Sequence, residues 1–204
     1  MITNYHRPQT LEETIELLKQ PNTLPLGGGT ALNTPAYKDR DISVVDLQAL
    51  DLNHTHKKGN VLEIGATVTL QQLLEDAHAP QALTQAIRQE STLNIRNAAT
   101  VAGALVACDG RSAFATMMLA LDAKLTVLSD QTAVFNLAEY WALRPQGLIT
   151  QIEIPLNVKS AYEQVARTPA DLPIVAAAPL DQAGGNDRQV GRGAGNLFVG
   201  RFDV

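Results

Sequence analysis

The chain has 204 residues, with 16 Lys and Arg against 21 Asp and Glu, a net charge of −5, and it is 45% apolar and 18% charged. That composition is globular rather than disordered, its acidic balance argues against a dedicated nucleic-acid binder, and no stretch approaches the ~20 consecutive apolar residues of a membrane span. A single cysteine, Cys108, excludes an internal disulfide or cysteine-held cluster, and the absence of an apolar signal core behind Met1 predicts a cytoplasmic protein.

In chain order, Thr10 and Glu13 give a capping-box signature ahead of Leu11, Ile15 and Leu18 at helical spacing, and Pro21-Asn22 stops that helix. Residues 23–26 read as a short buried strand running into Gly27-Gly28-Gly29-Thr30, and residues 42–47, rich in β-branched side chains, as a second. The polar stretch 53–60 reads as a turn or linker and suggests a subdomain boundary. It divides the chain into subdomains of residues 1–56 and 57–158 and a C-terminal segment of residues 159–204. Residues 61–64 alternate as a half-buried strand, and Thr69 with Gln72 opens a helix over Leu70, Leu73, Leu74 and Ala77. Pro80 interrupts it before another helix over residues 82–90. Residues 92–109 are rich in small side chains and show little periodicity, so they predict a loop ahead of an all-round apolar, buried helix at 114–121. Residues 124–128 and 149–154 read as strands, the second stopped by Pro155. Beyond Lys159 the strand-like pieces 162–167, 174–178 and 197–199 are separated by Pro or Gly clusters, with glycine-rich turns at 184–187 and 191–196 and no helix.

Two segments can carry chemistry. Three glycines after a strand, Gly27-Gly28-Gly29, followed by the Thr30 hydroxyl, can form an anion-binding nest, although a tight turn requires glycine equally well. The small residues Thr100-Val101-Ala102-Gly103-Ala104 can admit a second stretch of ligand or simply allow close packing, and Arg96 just upstream reads as a structural tie. His54-x-His56 has no further metal ligand at suitable spacing, and Cys108 has no motif partner. Gly191-x-Gly193-x-Gly195 lacks the strand-to-helix setting of a dinucleotide fingerprint. With no self-contained catalytic machinery visible, any enzymatic chemistry must come from a cofactor.

In order and spacing, these landmarks resemble the FAD-binding (medium) subunit of the molybdenum hydroxylases, the family of carbon monoxide dehydrogenase and the xanthine dehydrogenase flavin domain. Tyr5-x-Arg7-Pro8 is similar to the family's start, and Leu26-Gly27-Gly28-Gly29-Thr30-Ala31-Leu32 to its first flavin motif, Ala-Gly-Gly-Thr-Asp-Leu. Ile64-Gly65-Ala66 resembles its strand-to-helix step, and residues 95–103 its second flavin motif, Ile-Arg-Asn-x-Ala-Thr-Ile-Gly-Gly. Leu119-Ala120-Leu121-Asp122-Ala123, Ile152-Glu153-Ile154-Pro155 and residues 166–172 follow in the family's order. The resemblance implies an α+β, two-subdomain FAD-binding fold, a small α/β unit plus a larger α+β unit, with a truncated antiparallel C-terminal sheet. It implies an FAD site built from Leu26, Gly27, Gly28, Gly29, Thr30, Ala31, Thr100, Val101, Ala102, Gly103 and Ala104. It also implies electron transfer through flavin from an iron–sulfur partner subunit to an acceptor, with molybdopterin and 2Fe-2S held only in partner subunits.

Several family positions differ. Ala31 replaces the usual Asp, Ala102 a Gly, Ala104 an Asn, Ala113 an Asp and Gln164 a Lys, while Asp109, four residues before Ala113, is the remaining candidate partner for the cofactor's ribityl chain. Each lost hydrogen bond to a charged group is worth ~1.5–3 kcal/mol. The alternative reading is therefore a degenerate homologue with weak or no FAD binding that serves as a structural or assembly partner. In the C-terminal segment, Ile174, Ala176 and Ala178 would share one strand face and Val175, Ala177 and Pro179 the other, both apolar. An uncovered sheet of that kind predicts a homo-oligomer or a partner subunit packed on it. The other possibility is that the segment folds back on the second subdomain.

Overall fold

The computed structural model describes residues 2–37, 40–108, 111–166, 175–178 and 180–182. Its first lobe is a parallel sheet of β1 (Ile2–His6), β2 (Thr23–Leu26) and β3 (Ile42–Asp46) in the order β1-β3-β2, with α1 (Leu11–Leu18) between β1 and β2 in the chain. Parallel neighbours require such a crossover. Central β3 buries Val44 and Val45 completely, which explains why two adjacent positions of this strand are both apolar. Thr10 caps α1 by accepting from the Glu13 N–H at 3.2 Å, but the Glu13 carboxylate accepts from the Gln9 N–H, so the capping box is only half closed. The sequence periodicity does not predict β1, whose side chains are exposed or half-buried. Pairing and polar contacts hold it: the Tyr5 hydroxyl donates to Asp46, and Asn4 Nδ2 donates to Ser43 Oγ at 3.1 Å. Asp46 is buried, and the Gln48 N–H and the nearby Arg7 guanidinium complete its surroundings.

The second lobe is a five-stranded antiparallel sheet, order β4-β5-β8-β6-β7, built from β4 (Thr55–Lys58), β5 (Val61–Gly65), β6 (Lys124–Leu128), β7 (Thr132–Asn136) and β8 (Leu148–Pro155). The polar stretch expected to be a linker is instead β4, paired with β5 through the turn at Gly59-Asn60, where Gly59 takes φ +60°. His56, Lys57 and Lys58 are exposed on this edge, so the strand has no apolar alternation to reveal it. The change of sheet falls between Asp46 and Thr55, ahead of the division expected at 56/57.

Helices α2 (Leu70–Glu75), α3 (Gln81–Glu90), α4 (Leu93–Ala98), α5 (Val101–Ala107), α6 (Ala113–Ala120) and α7 (Leu137–Leu143) complete this lobe. The Thr69/Gln72 capping box is formed in full, but α2 stops at Glu75, before Ala77, because Asp76 turns to extended backbone. The expected loop at 92–109 contains α4 and α5 in its described part. Helix α4 buries no residue and α5 only Val101 and Leu105, so neither leaves a readable period. The buried helix expected at 114–121 is α6, whose Phe114, Met117 and Met118 are fully enclosed with Leu62, Ile64, Leu125 and Ile152 in one core. The β7–α7 hairpin was not predicted either, although Asn136 and Glu139 form a complete capping box.

Beyond β8, the strands β9 (Val158–Ser160) and β12 (Leu180–Gln182) pair, as do β10 (Glu163–Val165) and β11 (Val175–Ala177), both antiparallel. The expectation of an uncovered sheet is met at Val165 of β10, which is 64% exposed, but not at the two residues that flank these strands. Tyr162 is 1% exposed and Ala178 is buried, both in the second lobe's core, so this part folds back on that lobe to cover its apolar side chains. The strand expected at 197–199 and the turns at 184–187 and 191–196 lie outside the described residues. Among the described residues, no helix is long and apolar enough to cross a membrane.

Candidate functional site

Each lobe sends one segment to a common cleft. The first leaves the carboxyl end of β2, where the crevice of a parallel sheet ordinarily receives ligands. Its three glycines are required for three different reasons. A Cβ on Gly28 would lie 1.6 Å from the Ala98 carbonyl oxygen, and one on Gly27 would lie 2.8 Å from Thr100 Oγ1, so these two seat the loop against the α4–α5 junction of the other lobe. Gly29 takes φ +71°, a left-handed conformation, and a Cβ there would meet only Leu26 Cδ1, at 3.3 Å. Close backbone approach at Gly27 and Gly28 therefore serves the contact between lobes.

The second segment is helical, not the loop expected for residues 100–104. Thr100 is the N-cap of α5, its Oγ accepts from the Gly103 N–H at 3.2 Å, and it bridges to Thr69. The remaining donors of that first turn are also engaged. The Val101 N–H donates to Val68 O at 2.8 Å, the Ala102 N–H to Ala66 O at 3.4 Å, and the Ala104 N–H to Thr100 O at 2.8 Å. By contrast, the N–H groups of Gly28, Gly29, Thr30 and Ala31 have no acceptor among the described residues, and all four residues line the cleft.

The cleft encloses about 320 Å³. Of the expected site residues it brings together Gly27, Gly28, Gly29, Thr30, Ala31, Thr100, Ala102 and Gly103. Leu26 and Ala104 are not part of its lining, Val101 is wholly buried in the core, and Asp109 lies outside the described residues. The sequence reading missed the other end of the cleft, formed by Val106 and Ala107 on α5, Tyr140 on α7, and Gly147, Leu148 and Ile149 at the start of β8. Trp141 fixes that end by donating from Nε1 to Leu105 O at 3.0 Å, tying α7 to α5. Among the described residues no Asp, Glu, Lys or Arg side chain lines the cleft; the polar side chains among them are Thr30, Thr100, Tyr37 and Tyr140. Burial raises the Tyr140 pKa above its ordinary value against an opposing effect of Arg144, so the hydroxyl stays protonated at neutral pH.

Arg96 is the structural tie that its position suggested. Its Nε donates to Gln71 Oε1 at 3.0 Å and its Nη1 to Ser91 O at 2.6 Å, joining α4 to α2 and to the end of α3. Among the described residues no group of His, Cys, Asp and Glu is arranged to hold a metal ion.

The family described as the FAD binding domain in molybdopterin dehydrogenase matches residues 1–157. YgfM of Escherichia coli (strain K12), itself uncharacterized, is 31% identical over 182 residues, covering 87% of this chain and 69% of that protein. The glyceraldehyde dehydrogenase medium chain of Sulfolobus acidocaldarius is 27% identical over 201 residues, covering 90% and 71% of the two chains. A chain in the structure of reconstituted CO dehydrogenase from Oligotropha carboxidovorans superposes with a TM-score of 0.76 at 26% identity, over 89% of this chain and 70% of that one. The chain belongs to the family of FAD-binding domains of molybdopterin dehydrogenases, and its α+β fold is the fold of that family.

Proposed function

We propose that this chain is the FAD-binding electron-transfer subunit of a molybdenum hydroxylase-type oxidoreductase, working in a cytoplasmic heteromeric complex with iron–sulfur and molybdopterin subunits. The observation that carries this reading is the row of backbone donors from Gly28 to Ala31, without acceptors among the described residues, along a cleft between the two lobes. The residues fit a flavin dinucleotide. Four N–H groups and the Thr30 hydroxyl suit a diphosphate, and the apolar walls from Val106, Leu148 and Ile149 suit a flat ring system. When bound, the flavin supplies the exchange of electrons between the iron–sulfur partner and an acceptor. The chain itself binds and orients the cofactor and excludes water from its ring; the lobe ending at β3 and the lobe beginning at β4 act as the two halves of the clamp.

A second reading, weak retention of FAD by a partly degenerate site, is favoured by the electrostatics. Among the described residues no cationic side chain lines the cleft, and the donors of the α5 first turn are already engaged. The described donors to the diphosphate are then neutral, and these hold less firmly than charged ones. The Gly29→Val variant tests the placement of the site. At φ +71° a β-branched side chain is strained by ~1–3 kcal/mol, so the loop must change shape. FAD titration should show affinity at least about tenfold below wild type, with the far-UV circular dichroism unchanged. Equal affinity in both proteins places the cofactor elsewhere.

A further inference from the structure

Tyr140 stands apart among the residues of the cleft. It is 7% exposed and its ring belongs to the hydrophobic core, yet the residue borders the cleft and its hydroxyl has no hydrogen-bond partner among the described residues. Among the described residues only Ser91 Oγ is both fully enclosed and without a partner, so the Tyr140 oxygen keeps contact with solvent, which a ligand in the cleft can replace. Open space for a partner exists on the cleft side, and the neighbouring polar groups do not supply one. Thr100 Oγ is engaged with the Gly103 N–H, and Trp141 donates to Leu105 O.

The position of Tyr140 along the cleft bears on what that partner is. Val106, which shares its end of the cleft, lies six residues beyond Thr100 on a helical path, roughly 9 Å at 1.5 Å per residue. The unpaired amides of residues 28–31 lie on the first lobe's loop, seated against the α4–α5 junction at Ala98 and Thr100. One end of the cleft thus offers backbone donors suited to phosphate. The other offers apolar walls and a single aromatic hydroxyl, suited to a planar ring bearing acceptor atoms on its edge.

We propose that the Tyr140 hydroxyl donates a hydrogen bond to the ring portion of the bound flavin nucleotide, positions that ring, and makes the cleft discriminate flavin nucleotides from ligands that carry only the adenosine diphosphate half. This rests on the reading of the cleft as an FAD site. Tyr140→Phe keeps the ring in the core and removes only the hydroxyl. Titrating the full chain with FAD and separately with ADP should show FAD affinity lowered about five- to tenfold in the variant, with ADP affinity and melting temperature unchanged. Unchanged FAD affinity in the variant overturns the role of Tyr140 while leaving the FAD reading intact. A parallel loss for FAD and ADP, or a lowered melting temperature, shows a merely structural residue and also overturns it. A wild-type chain that binds no FAD removes both the proposed function and this inference.

Discussion

Gly28→Ala is expected to lower the melting temperature by about 6–12 °C and to abolish measurable FAD binding. The added Cβ would lie 1.6 Å from the Ala98 carbonyl oxygen and 2.5 Å from its carbon. Both sides of that clash are backbone, so no rotamer change relieves it. The loop must withdraw from the α4–α5 junction, and the overpacking amounts to ~3 kcal/mol. For a chain of this size each kcal/mol moves the midpoint by ~2–4 °C. Gly27→Ala should be milder, because its new Cβ meets the Thr100 side chain at 2.8 Å rather than a peptide group. Calorimetry of the two variants separates the effects. A Gly28→Ala protein with the wild-type midpoint contradicts the account of how the lobes are joined.

Ala113→Asp puts back the carboxylate that the family resemblance implies at this position, and is expected to damage the protein rather than tighten its hold on FAD. Ala113 opens α6, is 1% exposed and does not line the cleft. Its neighbours already serve another carboxylate. Ser112 Oγ donates to Glu90 Oε1, and the Phe114 N–H donates to Glu90 Oε2, each at 2.9 Å. A second carboxylate placed here is buried beside the first, whose bonds to Ser112 and Phe114 already take up the local donors, at a penalty of ~3–5 kcal/mol. The midpoint should fall by about 10 °C or more, without a gain in FAD affinity. A variant of unchanged stability that holds flavin tightly shows that residue 113 does reach the cofactor.

What could be read from the sequence depended on whether an element buries one face. Helix α6 is apolar on nearly all sides and β3 is rich in β-branched residues, and both stand where expected because the core dictates their composition. Strand β4 carries His56, Lys57 and Lys58 on an exposed edge, and α4 buries nothing, so composition and period alike were silent about them. The glycine segment was visible as a glycine segment, but the reasons for Gly27 and Gly28 depend on contacts with residues some 70 positions away in the chain, and that for Gly29 on its backbone conformation. Likewise, Tyr140 lies on a helix the sequence reading did not find, and only the fold brings it to the same cleft as Gly29 and Thr30.

The central claim, that the backbone amides of the first loop hold the cofactor's diphosphate, is tested most directly by amide-resolved NMR of the labelled chain during an FAD titration. The N–H groups of Gly28, Gly29, Thr30 and Ala31 lack acceptors among the described residues, so their resonances should shift most and their hydrogen exchange should slow as FAD is added. The Gly103 N–H, already donating to Thr100 Oγ, should keep its exchange rate. FAD that binds while leaving residues 28–31 unperturbed would contradict the account.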